Sequence, residues 1–383
     1  MNVLSIYPGM NERCDNAQML LRLLEKDTQM AVIACKDMAF KGKEALPDYE
    51  NMAGIPIHRL YNTHMDMFAF PRTKIEQCLK IASDLKPDLI FCSQELNMRL
   101  ALALQKELHV PIVLLVEDAG RINSGEAYRA TKFSFAMNFL GVPSGRRLWG
   151  WLNKRADAII TCHPKDIDKL PVLSRFGKPV YFLHWPSHVP SEKMVSSVKE
   201  KGRGIYVGSL SSSKNTQIFE WVLPRILKET PTEEFLVVGP GPHAEMVKHL
   251  EKVTGGAVKY MSSVSRLEAL RLMAGSYYAY TPVVKGGWGF IGDCWSTQTP
   301  LVMNYHDNYV ENGSNALVSE ETDALIRNIN RLYNEPELYL KLQQNGLKES
   351  LKKDASVVGD QLYDVFAKTL KQKSPVEVRQ SYG

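Results

Sequence analysis

No run of apolar residues in this sequence approaches the roughly 18 to 20 that a membrane-spanning helix needs, so no span is expected. The start, Met1-Asn2-Val3-Leu4-Ser5-Ile6-Tyr7, enters an apolar strand-like run without a basic segment or small-residue cleavage site, and a secretory signal is not expected either. The six cysteines (Cys14, Cys35, Cys78, Cys92, Cys162 and Cys294) lack the close pairs of a metal site or a disulfide framework. Scattered through mostly apolar segments, they read as reduced core residues of a cytoplasmic protein. There is no internal repeat and no low-complexity segment. A formal charge of +5 over 383 residues is mild. It permits anionic substrates or lipid head groups but gives no argument for nucleic acid.

What is present is an alternation of strand-like and helix-like runs, the pattern of an α/β protein with parallel sheets. The length suits two domains of about 150 to 200 residues, each with its own core. In the first, strands are expected at Val3–Tyr7, Ala31–Cys35, Leu89–Cys92, Ile112–Val116, Ala158–Thr161 and Val180–Leu183, with amphipathic helices such as Asn16–Glu25 and Lys74–Leu85 between them. In the second, strands are expected at Ile205–Val207, Phe235–Val238, Val258–Met261, Tyr278–Thr281 and Leu301–Asn304. The division is a first domain over 1–187, a proline- and serine-bearing linker over 188–203 and a second domain over 204–350. A helical pattern over 351–371 would cross back to the first domain, and 372–383 is a tail. Doubly wound sheets place their ligand loops at the carboxyl ends of the strands, here facing a cleft between the domains.

The stretch Val284–Val302, VKGGWGFIGDCWSTQTPLV, carries the most chemistry. Its glycine-aromatic-glycine turn lets backbone N–H groups come close to a ligand, and the helix N-terminus beyond it favours a phosphate. Asp293 is expected on the first turn of that helix. There a carboxylate serves either as a cap or as the acceptor for a ribose diol. Trp288 is equally well read as a packing residue. Two further features stand at strand ends of the first half: Glu117 and Asp118 after Ile112–Val116, and His163 and His184, which also fit as structural histidines. The segment from Phe133 to Arg155 concentrates Phe133, Phe135, Phe139, Arg146, Arg147, Trp149, Trp151, Lys154 and Arg155. It reads as a core helix with a basic face, or as a surface for an anionic membrane.

Taken in order, Tyr206-Val207-Gly208-Ser209-Leu210 with Lys214, Phe235-Leu236-Val237-Val238-Gly239-Pro240-Gly241, Val264-Ser265-Arg266-Leu267-Glu268-Ala269-Leu270, Gly287-Trp288-Gly289-Phe290 through Asp293 to Thr299-Pro300, and Glu311-Asn312-Gly313-Ser314-Asn315 resemble the loops of GT-B fold glycosyltransferases of the retaining family 4 type. The resemblance implies two Rossmann-like domains facing a central cleft. It also implies transfer of a sugar from a nucleotide-diphosphate donor to a glycan or lipid-linked hydroxyl, with retention at the anomeric carbon. Donor-binding roles then fall on Gly208, Ser209, Lys214, Gly239, Val264, Gly287, Trp288, Gly289, Phe290 and Asp293. Catalytic roles fall on Lys214, Glu117 and Asp118. No cofactor beyond the nucleotide-sugar co-substrate and no metal are implied, since no D-x-D or histidine cluster is placed to hold one against the diphosphate. The expected location is cytoplasmic, with peripheral contact on an anionic membrane.

The departures fall on donor positions. Ser209 stands where the family carries an arginine, which removes a bidentate phosphate contact and leaves Lys214. Gly286 or Lys285 stands where the first glutamate of its signature belongs, and Asp293 is a shortened form of the second. Two other readings therefore stay open: a catalytically inactive relative acting as a nucleotide- or glycan-binding partner subunit, and a sugar-nucleotide epimerase.

Overall fold

The structure, a computed structural model, describes residues 1–10, 15–36, 46–63, 66–67, 70–116, 151, 154–162, 178–187, 198–283, 288–305 and 309–373. These form two compact units. One runs from Met1 to His184 and takes back the chain from Val358 onward, and the other spans Trp185–Val357.

In chain order the first unit contains β1 (Asn2–Ile6), α1 (Asp15–Leu24), β2 (Gln29–Cys35), β3 (Tyr49–Met52), β4 (Ile55–Tyr61), α2 (Arg72–Leu85), β5 (Leu89–Ser93), α3 (Met98–Leu108), β6 (Ile112–Val116), β7 (Ala158–Thr161) and β8 (Val180–Phe182). They make an eight-stranded sheet of order β3-β4-β2-β1-β5-β6-β7-β8, parallel except for the β3–β4 hairpin. Strands β5, β6 and β7 are buried at every residue, as a parallel sheet covered on both faces requires. The hairpin was not anticipated. Its turn is Ala53-Gly54, both at positive φ (47° and 97°), with Asn51 Oδ1 accepting from the Gly54 amide at 2.8 Å. Alanine at such a position and Pro56 inside β4 both hide the strand pattern.

The second unit contains β9 (Glu200–Val207), α4 (Phe219–Glu229), β10 (Glu234–Val238), α5 (Ala244–Val253), β11 (Val258–Met261), α6 (Arg266–Gly275), β12 (Ser276–Thr281), α7 (Trp288–Ser296), β13 (Leu301–Met303), β14 (Leu317–Val318), α8 (Thr322–Asn334) and α9 (Pro336–Lys352). Its six strands run in the order β11-β10-β9-β12-β13-β14, all parallel. One expectation is corrected here. Residues Glu200–Arg203, assigned to a linker, form the start of β9, because their charges find partners in the sheet: Arg203 Nε donates to Glu234 at 2.7 Å and its guanidinium also pairs with Glu200. Of the rest of the expected linker, Val198 and Lys199 lead into β9 and 188–197 lies outside the described residues.

Helix α10 (Ala355–Lys373) packs on the first unit from Val358 onward and runs two residues into the expected tail. Phe366 meets Phe91 edge-on at 5.3 Å, and Asp360 pairs with Arg22 and Lys26. Each unit has its own apolar core, and Cys35, Cys78, Cys92, Cys162 and Cys294 are free and buried.

Lys199, just before β9, is half-buried and donates to the Thr297 carbonyl at 3.0 Å and to Thr299 Oγ1 at 2.8 Å. Burial lowers its pKa to about 7. The unfolded chain holds this proton up to about pH 10.5. The burial penalty is therefore complete below pH 7, and stability rises with pH through the window from 7 to 10.5. Chemical denaturation of the wild type beside Lys199→Met is expected to show the wild type gaining relative stability from pH 7 to pH 10. Parallel curves would contradict this account.

Candidate functional site

The order of the second sheet reverses between β9 and β12, and a doubly wound sheet binds ligands at the carboxyl ends of the strands flanking such a switch. The loops that meet on this edge are stitched backbone to backbone. Gly208 N donates to Val238 O at 2.9 Å, Leu210 N to Pro240 O at 2.9 Å, Gly239 N to Met261 O at 2.9 Å and His243 N to Leu210 O at 3.1 Å. This approach demands glycine at two places. Gly239 (φ 142°) and Gly241 (φ 154°) take conformations that L side chains rarely adopt, and a Cβ there would lie 2.0 Å from Gly208 O and 2.1 Å from Leu210 O. Half-buried Ser209 follows, its carbonyl accepting from the Tyr206 hydroxyl at 3.1 Å.

The loop then makes a one-turn 3-10 segment, Ser212–Lys214, that holds Lys214 half-buried on this edge. Asn215, at φ 56°, reaches across the switch point and donates through Nδ2 to Pro282 O at 3.2 Å, tying the lysine loop to the end of β12. His243 joins the same loop from the β10 side, with Nδ1 2.8 Å from Thr216 Oγ1 and Nε2 3.2 Å from Ser212 Oγ. Sequence reasoning did not single out His243. Its only signal was its place directly after the Gly239-Pro240-Gly241-Pro242 turn.

Helix α7 runs over Trp288–Ser296, which puts Trp288, Gly289 and Phe290 among its leading described residues. The side chains of Trp288 and Phe290 are packed: Trp288 lies 5.8 Å from Trp185 and 5.9 Å from Tyr309, and Phe290 lies 5.6 Å from Tyr206. Asp293, expected on the first turn, stands past it, because Trp288 to Gly292 are already helical. At Gly292 a Cβ would stand 2.8 Å from Ser187 Cβ, so glycine allows that close contact. Asp293 is 4% exposed, and both its oxygens are engaged by Arg266, Nη1 to Oδ2 at 2.7 Å and Nη2 to Oδ1 at 2.6 Å. Ser265 caps α6 by accepting from the Glu268 amide at 3.1 Å, which fixes Arg266 as the first helical residue after half-buried Val264.

The far end of α7 is held firmly. Trp295 Nε1 donates to Asn315 O at 2.8 Å, Gly346 of α9 lies against its ring, and the buried Lys353 ammonium lies 4.5 Å from the Trp295 ring centre and 3.5 Å from that of Tyr309.

Gly208, Ser209, Lys214, Gly239, Val264, Trp288, Gly289, Phe290 and Asp293 thus all belong to the carboxyl edge of the second sheet or to the helices that leave it. Glu117, Asp118, Gly287, His163 and Phe133–Gly150 lie outside the described residues. His184 is within them and stacks edge-on against Phe182 at 4.9 Å. Among the described residues no group of three His, Cys, Asp or Glu side chains is placed to hold a metal ion, and no helix is long and apolar enough to cross a membrane.

The sequence matches no protein-family model and no curated protein. Among solved structures, the chain is similar to sucrose-phosphate synthase from Thermosynechococcus elongatus at 13% identity and TM-score 0.73, covering 97% of this chain and 100% of that one. It is similar to Anabaena HepE in complex with UDP-glucose at 16% identity and TM-score 0.68, covering 96% and 100%. It is also similar to a UDP-forming α,α-trehalose-phosphate synthase from Burkholderia vietnamiensis at 12% identity and TM-score 0.67, covering 98% and 99%. Identities this low establish the fold: the chain has the GT-B fold, an α/β architecture with two parallel sheets.

Gly239→Ala is expected to lower the melting temperature, since the added methyl meets the Gly208 carbonyl rather than a yielding side chain. Gly255→Ala, at φ 62° with nothing within 4 Å of the new Cβ, is the control for backbone strain alone and should lower it less. Differential scanning calorimetry separates them. Equal behaviour of the two variants would contradict the close-approach account.

Proposed function

We propose that the protein is a glycosyltransferase that moves a sugar from a uridine-diphosphate donor to a hydroxyl on a glycan or lipid-linked acceptor, with retention at the anomeric carbon and without a metal. The observation that carries this reading is the convergence, at the β9/β12 switch point, of glycine-stitched loops, a half-buried lysine and a helix start. The uridine preference is carried over from structural neighbours whose names include UDP, UDP-glucose or UDP formation.

In this reaction the bond from the anomeric carbon to the phosphate oxygen breaks and a bond to the acceptor oxygen forms. The acceptor gives up its proton, and negative charge builds on the departing diphosphate. Lys214 and the first-turn amides of α7 supply positive charge and N–H donors to that leaving group. Glu117 and Asp118, which follow β6, bind donor hydroxyls or take the acceptor proton. Acceptor recognition falls to the first unit, whose own switch point lies between β1 and β5. There Gln94 is held at φ 68° and ψ 140°, a strained conformation of the kind that concentrates at functional sites. Contact with an anionic membrane is supported by Lys106, Lys154, Arg155 and Lys178, which line one hollow, and by Trp151, over which Arg155 lies at 4.8 Å.

Release of UDP from UDP-sugars is the measurement, with acceptor hydroxyls offered free in solution and on anionic vesicles. Slow release without acceptor and faster release with it are expected, and Lys214→Ala should cut the rate by about 100-fold or more. A protein that binds UDP-sugars and returns them intact under every condition would be an inactive nucleotide-binding relative, and the transferase reading would fall.

A further inference from the structure

We infer that His243 is a positioning residue for Lys214: its imidazole clasps both ends of the turn that carries the lysine and so sets where the ammonium meets a nucleoside diphosphate. The inference rests on the nucleotide-sugar reading of the second unit and brings into that site a side chain from a different loop.

The ring is fixed at its root. His243 closes the β10 loop and precedes α5, and its amide donates to Leu210 O at 3.1 Å while its carbonyl accepts from the Val247 amide at 3.2 Å. From there Nδ1 stands 2.8 Å from Thr216 Oγ1 and Nε2 stands 3.2 Å from Ser212 Oγ. Lys214 lies midway between these two residues in the chain, so the ring spans it. A hydroxyl can donate or accept, and a neutral imidazole has one nitrogen for each role, so both bonds form together in either tautomer. A protonated ring donates to both hydroxyls.

The turn itself is closed by backbone. Ser211 O accepts from Lys214 N at 3.0 Å and from Thr216 N at 3.4 Å, and Asn215 N donates to Ser212 O at 3.0 Å. These bonds shape the main chain, and the ring then ties the finished turn to the β10 side of the sheet while Asn215 ties it to Pro282 on the β12 side. The two ends of the clasp differ, since Thr216 is fully buried and Ser212 is exposed. A bond to an exposed hydroxyl replaces one to water and adds little to stability. What the Ser212 end adds is order, on the edge where the lysine stands. A loop that must be ordered by its ligand costs affinity, and a loop already held does not.

Titration calorimetry with UDP tests this on the wild type, His243→Ala, His243→Gln, Ser212→Ala, Lys214→Ala, and the two double variants that join Lys214→Ala to His243→Ala or to Ser212→Ala. Circular dichroism and the melting temperature without ligand establish that each variant folds. His243→Ala is expected to weaken UDP binding about fivefold, the scale of one long side chain left to be ordered on binding. Ser212→Ala, which opens only the exposed end of the clasp, should show part of that loss, and His243→Gln, whose amide keeps a donor and an acceptor, should recover part of it. With Lys214 already replaced, His243→Ala and Ser212→Ala should each change binding by less than about twofold, because a positioning residue then has nothing to position. If His243→Ala does not fold, the Ser212→Ala pair of variants is read in the same way. A loss of equal size with and without Lys214 would overturn the inference, since the clasp residues would then meet the nucleotide themselves. Unchanged UDP binding in the folded His243→Ala and Ser212→Ala variants would overturn it too, and would leave the nucleotide reading standing. If the folded wild type binds no UDP, the nucleotide reading itself fails and the inference falls with it.

Discussion

The carboxyl edge of the second unit's sheet depends on one close approach, the passage of the Gly239 backbone against the Gly208 carbonyl. A 2.0 Å separation between that oxygen and any added Cβ is far inside van der Waals contact, so the position admits glycine alone unless the loops part. Once the β9 and β10 loops are stitched there and again at Leu210–Pro240, the chain beyond Leu210 has little choice of path. The Ser212–Lys214 turn, the left-handed Asn215 that reaches Pro282, and His243 between two hydroxyls follow from it. Lys214 thus stands on a loop anchored at three points, the pre-organisation that the proposed role for it requires.

Helix α7 is the second half of that arrangement. Its leading end lies on the carboxyl edge of the sheet, and its far end is held by the core. Trp295 is locked by Asn315, by the glycine gap in α9 and by the buried Lys353, while Lys199 grips the chain that leaves the helix at Thr297 and Thr299. Buried Lys353 and half-buried Lys199 are costly to withdraw from water. They are tolerated because the first faces aromatic rings and the second a carbonyl and a hydroxyl, and together they hold the far end of the helix.

How much of this was legible in the sequence depended on whether the cause was local. Parallel strands buried on both faces read as short apolar runs, and β5, β6, β7 and β10 stand where those runs do, to within a residue. The β3–β4 hairpin did not show, because its turn uses alanine where asparagine or glycine is the usual mark and Pro56 sits in the strand. The first residues of β9 did not show either. Their charges look like linker until Glu234, thirty residues on, is seen to neutralise Arg203. Gly239 and Gly241 were visible as glycines, but the reason for them, the oxygen of a neighbouring loop, is a tertiary fact. Asp293 was placed one turn too early. Its partner Arg266, 27 residues away, carries no local signature of a fork.

The most direct measurement of the central claim is a crystal structure of the protein grown with UDP. The account predicts the diphosphate at the carboxyl ends of β9 and β12, between the Gly208–Lys214 loop and the start of α7. A nucleotide bound elsewhere, with that edge of the second sheet left as it is without ligand, would contradict it.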